Sequence, residues 1–243
     1  MNEAIITSWA AWSPGLTNRD DWARWALNPT ALERSGAPEV EFLPAMQRRR
    51  CDALSRMCFQ VIHEVCPPED LGDLTSVFAS RHGSFGNMTG LLFALADSRA
   101  LSPNSFSHSV HNTQAGLFSI WAQNRVASTC VAGGAETFGA GLLEAFGALA
   151  TQPERAVLLV VADEAVPEPF DSLCDDKGAY ALALLLRSRE SASGGTPLSV
   201  QLERGVVETS MFPDAVAFIR WLMGPERLLR LPHPRRTWVL ERS

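Results

Sequence analysis

The chain is nearly devoid of lysine. Lys177 is the single lysine among 243 residues, and the formal net charge is −6 at pH 7. Proteins that bind nucleic acid non-specifically neutralise phosphates with many basic side chains, so this composition argues against that class. The basic run Arg48–Arg50 is typical of the solvated start of a helix, and a docking patch for an acidic protein is its alternative interpretation.

Long apolar runs and paired cysteines are also missing. No run of about 18 apolar residues occurs, so the sequence predicts no membrane-spanning helix. The apolar segment Ala4–Trp12 follows Glu3 and no basic residue, which favours a first β-strand over a secretory signal. The five cysteines are scattered and form no C-x-x-C pair. We therefore expect neither a disulfide framework nor a zinc site, and a cytoplasmic location.

Apolar segments alternate between strand and helix patterns. Strand patterns cover Ala4–Trp12, Leu74–Ala79, Ser105–Val110, Arg125–Val131, Arg155–Ala162, Tyr180–Leu186, Leu198–Glu203 and Thr237–Leu240. Helix patterns cover Asp21–Leu27, Arg48–Cys66, Phe85–Ala96, Thr113–Ala122, Glu136–Ala150 and Asp214–Met223. Such alternation predicts an α/β sandwich with a largely parallel sheet.

Two of these helices carry almost no charge. Thr113–Ala122 has no charged residue, and Glu136–Ala150 has only Glu136 and Glu144. A helix that is apolar all round is expected to be buried all round. The chain offers few further elements after Tyr180 to cover them, so the sequence predicts that another protein completes this layer.

Two segments have a recognisable pattern: Ser102–Ile120 (SPNSFSHSVHNTQAGLFSI) and Ser128–Ala145 (STCVAGGAETFGAGLLEA). They resemble the β-ketoacyl synthases, in which a strand and turn lead into A-G-x-x-S-I and a second strand leads to the nucleophile turn and a buried helix. The resemblance covers roughly Ala4–Leu186. It implies a single domain over residues 1–243 with one half of the thiolase-like fold, a mixed, mostly parallel sheet and helices on both faces.

Two departures from the family decide the expected function. The family's nucleophile is a cysteine at the strand-to-helix turn, and here that position falls on Gly133 or Gly134. The family's two catalytic histidines come from the second half of its fold, whereas this chain stops at Ser243 after about one half. His233 is the one histidine in the last third, and its L-P-H-P-R-R surroundings match no motif of the family.

The resemblance therefore implies a non-catalytic protein similar to a chain-length factor. Such a subunit pairs with a catalytic β-ketoacyl synthase and shapes its acyl tunnel in polyene, polyketide or fatty-acid-like biosynthesis. It meets an acyl carrier protein through the complex and needs no cofactor. In thiolase-fold dimers the strand before A-G-x-x-S-I pairs with its counterpart, which implies an interface and tunnel set of Phe106, Ser107, His108, Ser109, Val110, His111, Asn112 and Gln114.

A cysteine-dependent acyltransferase or thioesterase is the alternative function. Cys130 lies close to the nucleophile turn, and His108 or His111 would then be its base. Against this, Cys130 is placed inside an apolar strand before the turn, where cysteines are usually inert. Asn112 and His111 are more typical of a helix cap than of a catalytic pair.

The remaining candidate groups have simpler interpretations. His63, Cys58 and Cys66 would point in different directions on one helix, so a structural role is favoured over metal binding. Asp163-Glu164 follows a buried strand, as an acid/base pair or as ordinary turn residues. The double glycine Gly133-Gly134 lacks the remainder of a phosphate-binding loop.

Overall fold

The computed structural model describes residues 3–174, 178–208 and 210–242, and Lys177 lies outside them. Within those ranges eight strands form one sheet in the order β3-β2-β4-β5-β1-β6-β8-β7. The strands are β1 (Glu3–Trp12), β2 (Thr75–Ala79), β3 (Ser128–Val131), β4 (Val157–Asp163), β5 (Tyr180–Arg187), β6 (Thr196–Arg204), β7 (Leu228–Pro232) and β8 (Arg236–Arg242).

Helices cover both faces of this sheet, as the sequence predicts. They are α1 (Arg19–Leu27), α2 (Ala45–Arg48), α3 (Ala53–Val65), α4 (Phe85–Ala96), α5 (Pro103–Ser107), α6 (Thr113–Trp121), α7 (Thr137–Thr151) and α8 (Asp214–Met223). One core contains side chains of α3 and α6, and the core on the other face contains side chains of α1, α7 and α8. The predicted α/β class is confirmed.

The prediction that the sheet is mostly parallel is wrong. Across the described strands, β2 pairs in parallel with β3 and β4, and the other five pairings are antiparallel. Parallel neighbours require a crossover connection, usually a helix. Such helices connect β2, β3 and β4, but the described residues between β4 and β5 and between β7 and β8 contain no α-helix. The alternation of strands and helices in the sequence therefore predicted more parallel strand pairs than the structure has.

Strand β4 divides the two cores. All seven of its residues are buried. Leu159 and Val161 belong to the core with α7, whereas Leu158 and Val160 belong to the core with α3. This arrangement confirms the prediction of a strand buried on both faces.

Helix α7 lies very close to strand β8. A Cβ atom added at Gly139 would come within 2.4 Å of the ring of Trp238. The indole Nε1–H of Trp238 also donates a 2.9 Å hydrogen bond to Glu136 Oε2, just before the helix. Glycine at position 139 therefore permits this close packing, even though it costs about 1 kcal/mol of helix propensity relative to alanine.

The predicted helix Arg48–Cys66 is shorter in the structure, where α3 spans Ala53–Val65. Helix α2 ends at Arg48, and α3 begins at Ala53 because Asp52 caps it: the carboxylate accepts a 2.8 Å hydrogen bond from the backbone N–H of Ser55. Aspartate is a favoured N-cap residue. The sequence therefore marks the start of α3 at Asp52, which lies inside the range predicted as helix.

Candidate functional site

The turn between β3 and α7 is built around glycines. Gly134 has a φ of +62°, a conformation that side-chain-bearing residues rarely adopt. At Gly133, an added Cβ would lie 3.2 Å from Cβ of Ala140 and 3.3 Å from the backbone of Glu136. Thr137 closes the turn: its Oγ1 accepts a 3.0 Å hydrogen bond from Gly133 N–H and donates one of 2.7 Å to Gly134 O.

The predicted strand before this turn and the predicted helix after it are therefore present. The local structure explains why both positions are glycine: residue Gly134 has the left-handed conformation, and Gly133 has little room for a side chain. A cysteine at either position would strain the turn as it stands. The equivalence of these glycines with the family's nucleophile rests on the resemblance and stays a prediction.

Cys130 has the environment of a structural thiol. It pairs with Phe78 in the parallel ladder between β2 and β3 and is half-buried. Burial raises the pKa of its thiol, which lowers the thiolate fraction that a nucleophile needs. His111, one of its two predicted bases, is engaged elsewhere, because Nε2 lies 3.0 Å from the backbone oxygen of Ser80.

The predicted strand Ser105–Val110 is wrong. Residues Pro103–Ser107 form the short helix α5, and Ser102 caps it by accepting a 3.2 Å hydrogen bond from Ser105 N–H. Ser107 and Ser109 donate their hydroxyl protons to backbone oxygens three residues earlier, at 2.9 and 2.8 Å. Such local bonds compete with strand pairing. The S-P start of the segment was the signal for a helix.

The eight predicted interface residues lie in one region but differ in exposure. Phe106 and Val110 are 65% and 50% exposed, and His111 and Asn112 are also exposed. Asn112 occupies the N-cap position of α6, as predicted, but its side chain makes no capping bond. Gln114, in contrast, is 4% exposed. Its Nε2 donates to the hydroxyl of Ser84 at 3.0 Å and of Ser55 at 3.4 Å.

Gln114 belongs to a partly buried polar cluster that joins the starts of α3, α4 and α6. Ser84 donates a 2.6 Å hydrogen bond to Asp52, so the first residues of α4 and α3 are linked. Glu164 accepts hydrogen bonds from the N–H groups of Leu54 at 3.0 Å and Gly86 at 3.2 Å, which lie in the first turns of the same helices. We call Asp52, Ser55, Ser84, Gln114 and Glu164 the helix-start cluster.

In the acidic pair at the end of β4, Asp163 is buried and Glu164 is partly buried, so the pair is not a fully solvated turn. Burial, reinforced by the charge of Asp52, raises the pKa of Glu164 to about 7. The carboxylate of Asp163 accepts hydrogen bonds from the hydroxyls of Ser80 and Tyr180 at 2.7 and 3.1 Å. Burial nevertheless raises the pKa of Asp163 as well. Each carboxylate thus has a structural role that the sequence did not show.

Large apolar side chains are exposed on the helices that follow Ser84 in the chain. We call the exposed apolar side chains of α4, α5, α6 and the segments between them the α4–α6 surface: Met88, Leu92, Phe93, Leu95, Leu101, Phe106, Val110 and Ile120. Helix α4 contains no charged residue and has one buried side chain, that of Thr89. The prediction that α6 and α7 are buried all round is wrong, because Ile120 and Leu143 are 56% and 45% exposed.

The comparisons with known proteins agree with this geometry. Residues 22–241 match the family model described as the β-ketoacyl synthase N-terminal domain. The chain belongs to this family. No curated protein sequence matches it significantly.

Solved structures share the fold over most of the chain. One is the ketosynthase ApeO in complex with its chain length factor ApeC from Xenorhabdus doucetiae; the matching chain is 25% identical, with a TM-score of 0.82 and coverage of 98% of this chain and 99% of that one. The ishigamide ketosynthase/chain length factor is 20% identical, with a TM-score of 0.66 and coverage of 84% and 68%. A β-ketoacyl synthase from Burkholderia phymatum STM815 is 14% identical, with a TM-score of 0.65 and coverage of 86% and 66%.

These comparisons confirm the predicted family and the thiolase-like, ketosynthase type of fold for this chain. Its structural neighbours include complexes of ketosynthases with chain length factors, and one further neighbour contains an acyl carrier protein bound to its ketosynthase. The chain is thus a ketosynthase-like protein. Helices long and apolar enough to span a membrane are absent from the described residues, as are groups of three or more side chains suited to hold a metal ion.

Proposed function

We propose that this β-ketoacyl synthase family member is a non-catalytic subunit, similar to a chain-length factor, that pairs with a catalytic ketosynthase and helps to shape its acyl tunnel. The observation that carries the proposal is the turn between β3 and α7. Where the family is expected to have its nucleophile, the turn has Gly133 and Gly134, which have no side chain to attack a thioester.

The conformation of this turn supports a permanent loss of the nucleophile. Gly134 has positive φ, and Gly133 is crowded by Ala140 and Glu136. Cys130 is a poor substitute, because burial raises the pKa of its thiol and His111, one of its two candidate bases, is bonded to Ser80.

The α4–α6 surface supports the pairing. Monomeric proteins rarely expose apolar patches larger than a few hundred Å². Here large apolar side chains are exposed on three consecutive helices and the segments between them, and Leu95 and Phe106 are 63% and 65% exposed. A second subunit would remove this surface from water. The occupant we propose is a ketosynthase, since the similar structures include ketosynthases in complex with chain length factors.

The interface residues predicted from the sequence fit this surface with one adjustment. Phe106, Val110, His111 and Asn112 are exposed and available to a partner. Gln114 is buried and bonded to Ser84 and Ser55. In this proposal Gln114 therefore influences the tunnel by fixing the start of α4, and the exposed residues make the contact.

Co-purification with a ketosynthase from the same gene neighbourhood tests the proposal. The wild-type chain is expected to co-elute with the tagged synthase in size-exclusion chromatography. Val110→Asp is expected to abolish co-elution, because burying an unpaired charge costs several kcal/mol. Val207→Asp is the matched control: Val207 is 92% exposed and lies after β6, outside the α4–α6 surface. Wild-type chain that fails to co-elute, or equal loss in both variants, would contradict the proposal.

A further inference from the structure

Helix α4 is attached to the rest of the molecule mainly at its first turn. Its one buried side chain is that of Thr89, and its closest helical neighbour is the short helix α5. Just before the helix, the hydroxyl of Ser84 donates to Asp52, and in its first turn the N–H of Gly86 donates to Glu164. The position of α4 therefore depends on these polar contacts more than on packing in the core.

Glu164 holds two helices at once. Its Oε1 accepts a 3.0 Å hydrogen bond from the N–H of Leu54 in α3, and its Oε2 accepts a 3.2 Å bond from the N–H of Gly86 in α4. Helix α3 is part of a hydrophobic core, whereas Gly86 is exposed. The carboxyl group of Glu164 therefore fastens the exposed helix to a buried one.

The charged groups that act on Glu164 are both acidic. Burial, followed by the charges of Asp52 on α3 and Asp163 on β4, raises the pKa of Glu164 to about 7, against the effect of its two backbone hydrogen bonds. The thiol of Cys58, also on α3, faces the same group, and burial raises its pKa well above the usual value. Ionisation of Glu164 therefore adds a second negative charge next to Asp52.

The basic side chains of this region belong to the connection between β2 and α4 and lie beside Asp163. Burial raises the pKa of Asp163, while backbone hydrogen bonds from His82 and Arg81 and the charge of His82 oppose this effect. His111, before α6, is hydrogen-bonded through Nε2 to the backbone oxygen of Ser80. Around neutral pH, Glu164 is therefore the member of the helix-start cluster whose charge changes.

Opening of the first turn of α4 would expose Glu164 to water. Its pKa would then return towards 4.5, so the closed arrangement binds the proton more tightly than the open one does. The preference of the protonated carboxyl for the closed arrangement is complete below about pH 4.5 and is lost as the pH rises through about 7. Deprotonation thus favours the open arrangement.

We propose that Glu164 is the positioning residue of α4 and that its ionisation loosens this helix, so that pairing with the ketosynthase is tighter at about pH 6 than at about pH 8. The inference rests on the proposed function, because α4 carries Met88, Leu92, Phe93 and Leu95 of the α4–α6 surface. A partner that packs on α4 requires the closed arrangement. It also removes water from the first turn, which favours the neutral carboxyl in the same direction.

Hydrogen exchange of the dilute full-length chain tests the loosening without a partner. Amide exchange of α4 is measured by mass spectrometry at about pH 6 and pH 8 and corrected for the intrinsic effect of pH on exchange. For the shift of Glu164 from 4.5 to about 7, protection of α4 in the wild type is expected to fall about tenfold between these values. Peptides from α7, in the core on the other face of the sheet, are the internal control.

The variant Glu164→Gln separates ionisation from the presence of the side chain. Gln keeps one acceptor oxygen and no titratable group, so protection of α4 is expected to be lower and to be independent of pH. Glu144→Gln, at an exposed position of α7, is expected to keep the tenfold change. Wild-type α4 whose protection is the same at both pH values would overturn the inference, and this comparison does not depend on the folding of any variant.

Calorimetric titration with the ketosynthase from the same gene neighbourhood tests the effect on pairing. Between about pH 6 and pH 8 the dissociation constant is expected to rise about tenfold for wild type and Glu144→Gln, and less than about twofold for Glu164→Gln. The difference between variants is informative because groups of the partner also titrate. Equal pH dependence of wild type and Glu164→Gln would overturn the inference alone, whereas absence of binding at every pH would contradict the proposed function.

Discussion

The hydroxyl of Ser84 donates a 2.6 Å hydrogen bond to the carboxylate of Asp52 and thereby joins the starts of two helices that are 32 residues apart in sequence. Ser84 precedes α4, which carries much of the α4–α6 surface, and Asp52 caps α3, which is packed in the core. The exposed helix is thus tied to the buried one at its first turn. Gln114 and Glu164 complete this connection.

Ser84→Ala is expected to destabilise the fold by about 1–3 kcal/mol, because Gln114 and Asp52 then lose a buried partner. Urea unfolding followed by circular dichroism measures the effect. The control is Ser107→Ala, since the exposed hydroxyl of Ser107 bonds within its own short helix; we expect a change within about 0.5 kcal/mol there. Equal effects of the two substitutions would show that the helix-start cluster contributes no stability of its own.

Glu164 makes stability depend on pH in a defined direction. Burial and Asp52 raise its pKa from 4.5 to about 7 in the folded state, so the folded protein binds its proton more tightly than the unfolded chain does. The stability contributed by the protonated form is complete below about pH 4.5 and is lost as the pH rises through 7. For a shift of this size the loss is on the order of 3 kcal/mol.

The measurement is the free energy of unfolding of wild type and Glu164→Gln at several pH values between 4.5 and 8. Asp163 contributes in the same direction, because burial raises its pKa too; the informative quantity is therefore the difference between the two proteins. We expect a flatter profile in Glu164→Gln. Glu144→Gln, at an exposed position of α7, is the control and should retain the wild-type slope. Parallel profiles for wild type and Glu164→Gln would refute this assignment.

Cys130 is expected to behave as a structural cysteine. Burial raises the pKa of its thiol, so iodoacetamide should alkylate it slowly at neutral pH, as peptide mass spectrometry would show. Cys130→Ala should leave the product of the reconstituted complex unchanged. A loss of turnover of about 10³-fold or more would instead identify Cys130 as the nucleophile of an acyltransferase or thioesterase.

The α4–α6 surface is expected to cause self-association when no partner is present. Leu92 is 49% exposed on the charge-free helix α4. Leu92→Asp should lower the apparent mass of the isolated chain in light scattering, because it interrupts the apolar patch. Leu27→Asp is the matched control, since Leu27 is 88% exposed at the end of α1. A wild-type chain that is a stable monomer would argue against an uncovered interface.

The sequence predicted those elements whose signal is local. Helix α8 was predicted with the bounds that the structure has, and β1, β4 and β5 were predicted to within two residues, because apolar residues predominate in each of them. Strand β7 was missed, since it is short and at the edge of the sheet and ends in Pro232. The segment Ser105–Val110 was misassigned because its alternation of serine with larger residues outweighed the S-P helix start.

The candidate sites depended more on tertiary contacts. Glu164 is hydrogen-bonded to Leu54, which is 110 residues away in the sequence, and no periodic sequence pattern predicts such a contact. His233, which matches no motif of the family, is likewise hydrogen-bonded to Asp214 at the start of α8, 19 residues earlier in the sequence. The glycine turn, in contrast, was located from sequence because its strand, double glycine and helix are consecutive.

The most direct test of the central claim is intact-mass spectrometry of the purified complex after incubation with an acyl thioester substrate. The account predicts that the added acyl mass appears on the catalytic ketosynthase alone, while this chain keeps its unmodified mass, because Gly133 and Gly134 offer no nucleophile and Cys130 is half-buried in β3. Replacing the synthase's own nucleophile should abolish the label from the complex altogether. An acyl group found on this chain at a rate that matches turnover would contradict the account.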